Sequence, residues 1–333
     1  MSILVTGSSG HLGEALVRTL KARGADVTGL DVKPSTQTDA VGSVADRLVV
    51  RECLKGASAV IHAATLHKPH VGTHSKSDFI DTNVQGTLNL LEESVAAGVG
   101  TFLFTSTTST YGMALRPLPG EPAVWVTEGL QAVPRNVYGA TKVAAEDLCE
   151  LIHRESGLPC LILRTSRFFP EEDDDRRIRE GYEDANAKVN EYLYRRVDLH
   201  DVVDAHLLAL ERAGAIGFGR YIISATSPFQ RGDLVELREN APRVVERYFP
   251  DYAKEYARRG WKMFAGIERV YVNQKARDEL GWRPRYDFGQ VLRLLSEGGS
   301  HVSEMARVVG RKGYHGAPFD DGPYPLGGLC GEP

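Results

Sequence analysis

Thr6-Gly7-Ser8-Ser9-Gly10-His11-Leu12-Gly13 spaces three glycines as G-x-x-G-x-x-G close to the start of the chain. A short apolar run, Ser2–Thr6, precedes it. Leu12–Arg23 follows, with Leu12, Ala15, Leu16 and Leu20 at helical spacing. A strand that enters a helix through a glycine loop is the first half of a βαβ unit. In such a loop Gly7 permits the tight turn, Gly10 lets the backbone approach a pyrophosphate, and Gly13 allows close helix–strand packing. The helix N-terminus then offers free amides and the positive end of its dipole to phosphates. Taken alone, the triplet could be a plain βα turn; its position between strand and helix favours a dinucleotide-binding turn.

The first half of the chain continues the alternation. Asp26–Leu30, Ala59–Ala63, Thr101–Thr105 and Pro159–Arg164 read as strands, and Phe79–Ala97 and Val137–Ser156 as helices. The expected fold is α/β: a Rossmann doubly wound parallel sheet with a smaller C-terminal lobe for substrate. The expected division is residues 1–165 as the dinucleotide domain, with contributions from about 196–225. Residues 166–312 form mainly the substrate lobe, and 313–333 a tail. Asp31 stands 18 residues after Gly13, at the end of the second strand. A carboxylate there accepts hydrogen bonds from ribose hydroxyls and repels a 2′-phosphate, which favours NAD over NADP. Lys33 is a mild counter-argument.

Tyr138-Gly-Ala-Thr-Lys142 sets a phenol and an ammonium one helical turn apart. A cation beside it favours the phenolate, so the pair can act as general acid/base toward a secondary alcohol or ketone. Thr105-Ser106-Thr107-Thr108-Ser109-Thr110-Tyr111-Gly112 puts a hydroxyl cluster at the carboxyl end of a strand, where such sheets bind ligands.

With these elements stand His62-Ala-Ala, Asn83-Val-Gln-Gly-Thr-Leu-Asn-Leu-Leu, Val197-Asp-Leu-His-Asp-Val-Val and Leu280-Gly-Trp-Arg-Pro. From Thr6 to about Phe288 the chain resembles the extended short-chain dehydrogenase/reductases, the group of NAD-dependent epimerases and dehydratases. The resemblance implies Thr107, Tyr138 and Lys142 as catalytic residues, Lys142 also holding the nicotinamide ribose and lowering the tyrosine pKa. It implies NAD as cofactor, in contact with Gly7, Ser9, Gly10, His11, Leu12, Gly13, Asp31, Ser43, Val44, Ala63, Ala64, Asn83, Thr105, Tyr138 and Lys142. It also implies a homodimer built from Phe79–Ala97 and Val137–Ser156.

Departures from the family pattern narrow the chemistry. Thr108 and Ser109 stand where the related dehydratases carry Asp-Glu, and Ser109 where related reductase-epimerases carry cysteine. Thr165-Ser-Arg-Phe-Phe-Pro170 leads into an acidic run rather than an Asn-Val-Tyr-Gly-Pro-like motif, and the Gly-Asp-Gly hairpin that grips a nucleotide diphosphate is missing. The reading is a net dehydrogenase acting by hydride transfer on a small sugar-like substrate. A sugar or nucleotide-sugar epimerase with retained NAD and a non-catalytic NAD sensor are the alternatives. His67, Lys68, Thr108, Arg167 and Arg195 are the candidate substrate contacts. His62, His67, His70 and His74 could in principle hold zinc, but hydride transfer needs none, and no metal is expected.

A formal net charge of −4 gives no reason to expect nucleic acid or an anionic membrane as partner. No apolar run approaches the roughly 20 residues that span a bilayer. The start, Met1-Ser-Ile-Leu-Val-Thr, lacks the pattern of a signal peptide, and the four cysteines are scattered, which suggests free thiols and a cytoplasmic protein. The final 21 residues hold six glycines and four prolines, yet also Tyr314, His315, Phe319 and Tyr324. Two readings stand for them: a tail that lies across the second lobe or a partner subunit and covers part of the substrate cleft, or an exposed flexible end.

Overall fold

Ile3, Leu4 and Val5 are apolar in succession because the strand they form is covered on both faces, as in a central parallel strand. The computed structural model describes residues 2–313, His315, Phe319 and residues 322–324. Its first half runs β1 (Ser2–Thr6), α1 (His11–Ala22), β2 (Asp26–Asp31), β3 (Ala40–Val41), α2 (Arg47–Cys53), β4 (Ala59–His62), α3 (Lys76–Phe79), α4 (Gly86–Ala96), β5 (Thr101–Thr107), β6 (Val124–Val126), α5 (Val137–Ser156) and β7 (Cys160–Thr165). The second half runs α6 (Arg176–Gly181), α7 (Asp184–Glu191), α8 (Leu199–Ile216), β8 (Phe218–Ile223), α9 (Leu234–Glu239), α10 (Ala241–Tyr248), α11 (Tyr252–Arg259), β9 (Arg269–Tyr271), α12 (Gln274–Glu279), α13 (Phe288–Ser296) and α14 (Glu304–Val309).

Seven strands form one parallel sheet in the order β3-β2-β1-β4-β5-β7-β8. The order reverses between β1 and β4, so the glycine loop after β1 opens at the topological switch point. Strand residues alternate between two cores. Ile3, Val5, Leu103 and Leu163 pack with Leu16 of α1 and Val202 of α8, whereas Leu4, Phe102, Phe104 and Ile162 pack with Leu90 of α4 and Cys149 of α5. A third core, containing Val189, Phe229, Val245, Tyr256 and Phe288, fills the second lobe beneath the short β6–β9 pair. The helix expected over Phe79–Ala97 is interrupted: Ile80–Gln85 winds as a π-helix that carries Asn83.

Two sequence motifs meet at the seam between lobes. Trp282 Nε1 donates to the Asp201 carbonyl at 3.0 Å, and the Asp201 carboxylate accepts from the amides of Arg285 (2.8 Å) and Tyr286 (2.9 Å). Asp198 caps α8 and also accepts from the Ser303 amide. Among the described residues no helix is long and apolar enough to cross a membrane. Cys53, Cys149 and Cys160 are free thiols; Cys330 lies outside the described residues.

Buried histidines make stability depend on pH. Burial depresses His206 to about 4 and His301 to about 4. The folded protein therefore binds fewer protons than the unfolded chain between pH 6.5 and 4, so this stability is present above the unfolded pKa and is lost as pH falls through that window. Each histidine contributes about 1–2 kcal/mol between pH 7 and 5. Together they are expected to lower Tm by about 3–6 °C over that interval. His206→Gln, which can still reach the Thr105 hydroxyl, should shrink the fall; a Tm unchanged from pH 7 to 5 would contradict the account.

Candidate active site

Gly13 is required by contact: a Cβ there would sit 1.9 Å from the Gly7 carbonyl oxygen. Gly7 itself has φ +76°, and a Cβ on it would lie 2.8 Å from the Ala64 amide nitrogen. The turn is thus pressed between α1 and the end of β4. Gly10 precedes α1 in extended conformation with no side-chain cap, which leaves the first amides of the helix to another acceptor. Asp31, at the tip of β2, accepts from the amides of Ser9 (3.0 Å) and Lys33 (2.9 Å), so the carboxylate is fixed beside the loop. These features fit a dinucleotide: a glycine cradle, open amides and an acid held beside the loop.

The other expected cofactor contacts divide by what their side chains do. Leu12 and Val44 point into the two sheet cores, leaving only their backbone for a ligand. Ser43 accepts from the Ala45 amide at 3.1 Å. Ala63 and Ala64 follow β4, and the Ala64 amide donates to the Thr6 hydroxyl at 3.1 Å. Asn83 accepts from the Leu66 amide and donates to the Leu66 carbonyl and to Thr141 on α5 (2.9, 2.8 and 3.0 Å), so it ties the loop after β4 to the catalytic helix.

Tyr138 and Lys142 lie in the first turns of α5, which Asn136 caps by accepting from the Gly139 amide. Tyr138 shares a hydrogen bond with Thr107 at the end of β5. Thr107 also accepts from the Ser109 amide at 3.1 Å, which orients its hydroxyl, while Thr108 is buried in the turn that follows. Lys142 Nζ donates to the Thr105 carbonyl at 2.7 Å and stands 3.9 Å from the Phe104 ring centroid. The Thr105 hydroxyl meets His206 Nε2 at 2.9 Å. The three expected catalytic side chains therefore converge. Their electrostatics differ from the sequence reading, in which Lys142 lowers the tyrosine pKa. Burial pushes Tyr138 up to about 12, against the Thr107 hydrogen bond, and pushes Lys142 down to about 7, with Cys149 and Glu146 opposing.

Behind this centre Glu146, one turn past Lys142, takes a bidentate pair from Arg164 (2.6 Å at the closest) and the Ser106 hydroxyl at 2.5 Å. Arg164 also donates to the Tyr111 hydroxyl at 3.0 Å. The sequence reading missed this pair; its one signal was an arginine at the end of an otherwise apolar strand.

The loop after β4 places His67 against the site: its ring lies 6.5 Å from Tyr138 and stacks 5.5 Å from Phe169. Phe169, also missed, in turn meets His11 at 5.6 Å, so one aromatic spans the glycine loop and the histidine loop. Burial holds His67 well below its ordinary value and His70 at about 4, so both are neutral. Among the described residues no group of His, Cys, Asp or Glu is arranged to hold a metal ion. Lys68 pairs with Asp174, Arg167 with Asp173 (2.8 Å), and Arg195 with Asp173 (3.0 Å) and Glu191 (2.7 Å), so these three expected substrate contacts are engaged with the protein's own carboxylates. Of the tail, His315 Nε2 lies 3.0 Å from the Pro69 carbonyl oxygen, and Tyr324 is buried beside Asp174. Tyr314 and most of the remaining tail lie outside the described residues.

The sequence model of the NAD dependent epimerase/dehydratase family matches residues 3–223. A UDP-glucose 4-epimerase of Rhizobium meliloti is 26% identical over 87% of this chain and 94% of its own length. A GDP-6-deoxy-D-mannose reductase of Pseudomonas aeruginosa is 27% identical over 91% of this chain and 98% of its own. Among solved structures, a short-chain dehydrogenase/reductase superfamily protein from Agrobacterium tumefaciens with bound NAD superposes with a TM-score of 0.63 at 23% identity, covering 89% of this chain and 96% of that one. The UDP-glucose 4-epimerase of Thermotoga maritima gives 0.60 at 24%, covering 89% and 98%. At these identities the structural likeness speaks for the fold.

Proposed function

Since the chain belongs to the NAD dependent epimerase/dehydratase family, we propose that it is an NAD-dependent oxidoreductase acting on a secondary hydroxyl or ketone of a sugar-like substrate, with net dehydrogenation as its reaction. The observation that carries this reading is the meeting of Thr107, Tyr138 and Lys142 at the carboxyl edge of the sheet, across from the glycine loop. NAD supplies the hydride acceptor. Thr107 holds the reacting oxygen by a hydrogen bond, and Tyr138, once it has given up its own proton, takes the alcohol proton as phenolate while the alcohol becomes a ketone. Lys142, one turn on, would hold the ribose side of the cofactor and, in its protonated form, would balance charge on the phenolate. His67 and Phe169 stack on each other beside the site, an apolar wall on that side.

A panel of sugars and polyols read at 340 nm tests the proposal. NADH formed in step with substrate supports a net dehydrogenase. The length of the alignment to a UDP-glucose 4-epimerase favours a second reading, an epimerase with retained NAD. That reading requires protein purified with NAD bound, product of inverted configuration, and no net NADH.

Asp31 sets the cofactor. A 2′-phosphate beside its carboxylate would bring like charges together, so NAD is expected to bind at least about 10-fold more tightly than NADP. Asp31→Ala with Val32→Arg, at an exposed position, should reverse the preference. Native protein that binds NADP as well as NAD by calorimetry would disprove the assignment.

The same proposal includes a homodimer through α4 and α5, whose outer faces expose Val95 and Leu151. Light scattering at micromolar concentration should report twice the 36.6 kDa chain mass; a monomer there rules the dimer out.

A further inference from the structure

Four cations converge where the loops after β4 and β7 meet. Arg167 lies two residues past β7, beside the strand that ends in Thr107; Arg195 and Arg196 follow α7, with Arg196 bridged to Arg167 through the backbone; Lys68 comes from the histidine loop. Such a cluster is the chemistry that grips phosphate. Here each of the four is already paired with a carboxylate. Arg167 donates to Asp173 (2.8 Å) and to the Glu172 carbonyl (3.0 Å). Arg195 donates to Asp173 and Glu191 (3.0 and 2.7 Å), and Arg196 to Glu191 (2.8 Å). Lys68 pairs with Asp174. Against burial, Lys68 and Arg167 keep the Asp174 carboxyl below its ordinary value, and Arg195, Arg167 and Arg196 keep Glu191 far below. Four cations thus face three carboxylates.

A phosphate entering this cluster must either displace carboxylates that are already desolvated and hydrogen-bonded, or lie beside them as a like charge. Both are unfavourable. The cluster's hydrogen bonding, in contrast, is not exhausted. Arg195 Nε, Arg196 Nη2 and the Ser166 hydroxyl are buried without a partner among the described residues. An oxygen acceptor without a full charge, such as a sugar hydroxyl, completes such donors. The same loops take contacts from the C-terminal segment: His315 reaches the Pro69 carbonyl, Lys312 pairs with Glu14 of α1, and Tyr324 bonds Asp174.

We infer that the cleft selects an uncharged polyhydroxylated substrate, such as a free sugar, polyol or lactone, and rejects nucleoside diphosphates, with Asp173 and Asp174 as the specificity-determining residues. The inference rests on the hydride-transfer reading only for what happens to the substrate, not for its charge.

The test is calorimetry of NAD-loaded protein with UDP. The native protein should show no binding up to about 1 mM, where binding free energy is only about −4 kcal/mol. The double variant Asp173→Asn/Asp174→Asn should bind UDP at least about 10-fold more tightly than native, and Asp173→Asn alone should also gain, whereas Glu172→Gln, the same charge change as the single variant at an exposed neighbour, should not. Asp173→Asn alone serves if the double variant melts early, because asparagine keeps the acceptor for the Asp175 amide. Micromolar UDP binding by the native protein, or no gain in either asparagine variant, overturns the inference. If the native protein turns over a UDP-sugar with higher kcat/KM than the free sugar, charge selection fails and hydride transfer stands. If the variants gain UDP but the native protein oxidises and epimerises no sugar, charge selection stands and the hydride-transfer reading fails.

Discussion

Tyr138→Phe is expected to leave NAD binding intact and to lower turnover by roughly 10²-fold or more, the usual scale for loss of a general acid/base. The substitution removes one oxygen from a ring that is 9% exposed and leaves its packing unchanged. Thr107 loses one partner but keeps the Ser109 amide that orients it, so the protein should melt within about 1 kcal/mol of native. The comparison that isolates the proton step is kcat against KM. A fall in kcat with KM and NAD affinity unchanged assigns Tyr138 to the chemical step. Near-native turnover would move the proton elsewhere, and His67, 6.5 Å away ring to ring, would be the group to substitute next.

The sheet was legible because its strands are short, apolar and separated by helices of clear period: Ser2–Thr6, Ala59–His62 and Cys160–Thr165 each fill a central position and carry little polar surface. The π-helix at Ile80–Gln85 was not legible, because a helix carrying one extra residue per turn keeps almost the same apolar spacing. Nor was the β6–β9 pair, two strands of three residues joined across a long stretch of chain; runs that short are indistinguishable from loop.

The catalytic residues could be found because their spacing is local: Tyr138 and Lys142 are a helical turn apart, and Thr107 closes a strand. The surroundings could not. That Lys68 meets Asp174, Arg167 meets Asp173 and Lys312 meets Glu14 depends on how three loops and the tail fold over one another. In sequence, the acidic run from Glu171 to Asp175 looks like a solvated loop, and Arg195 looks like a substrate contact. Only the fold shows that they neutralise each other. The pKa of Tyr138 went the other way for a related reason: sequence spacing gives the distance to Lys142 but not the burial, and burial is the larger effect.

Glu146→Ala should destabilise the protein by about 3–5 kcal/mol, because it leaves a buried guanidinium without its counter-ion. The side chains of Glu146 and Arg164 are only 2% and 8% exposed, so water cannot replace the lost partner. Arg220, 3.3 Å from the same carboxylate, loses a partner as well. In a chain of this size that loss is expected to lower Tm by about 4–7 °C. The pair does more than join α5 to β7. Glu146 holds Ser106, the residue before Thr107, and Arg164 holds Tyr111, just past the turn that Thr107 caps. Glu146→Gln keeps an oxygen for Ser106 but not the charge, so it should recover part of kcat while remaining less stable than native. The pair term is read from a double-mutant cycle with Arg164→Met. Replacing both charges should cost less than the sum of the two single changes, since neither charge is then left buried alone. Additive losses, or a Glu146→Ala protein within about 1 kcal/mol of native, would show that the guanidinium finds other acceptors, such as the Glu128 carbonyl at 3.4 Å, and that the strand end does not depend on the pair.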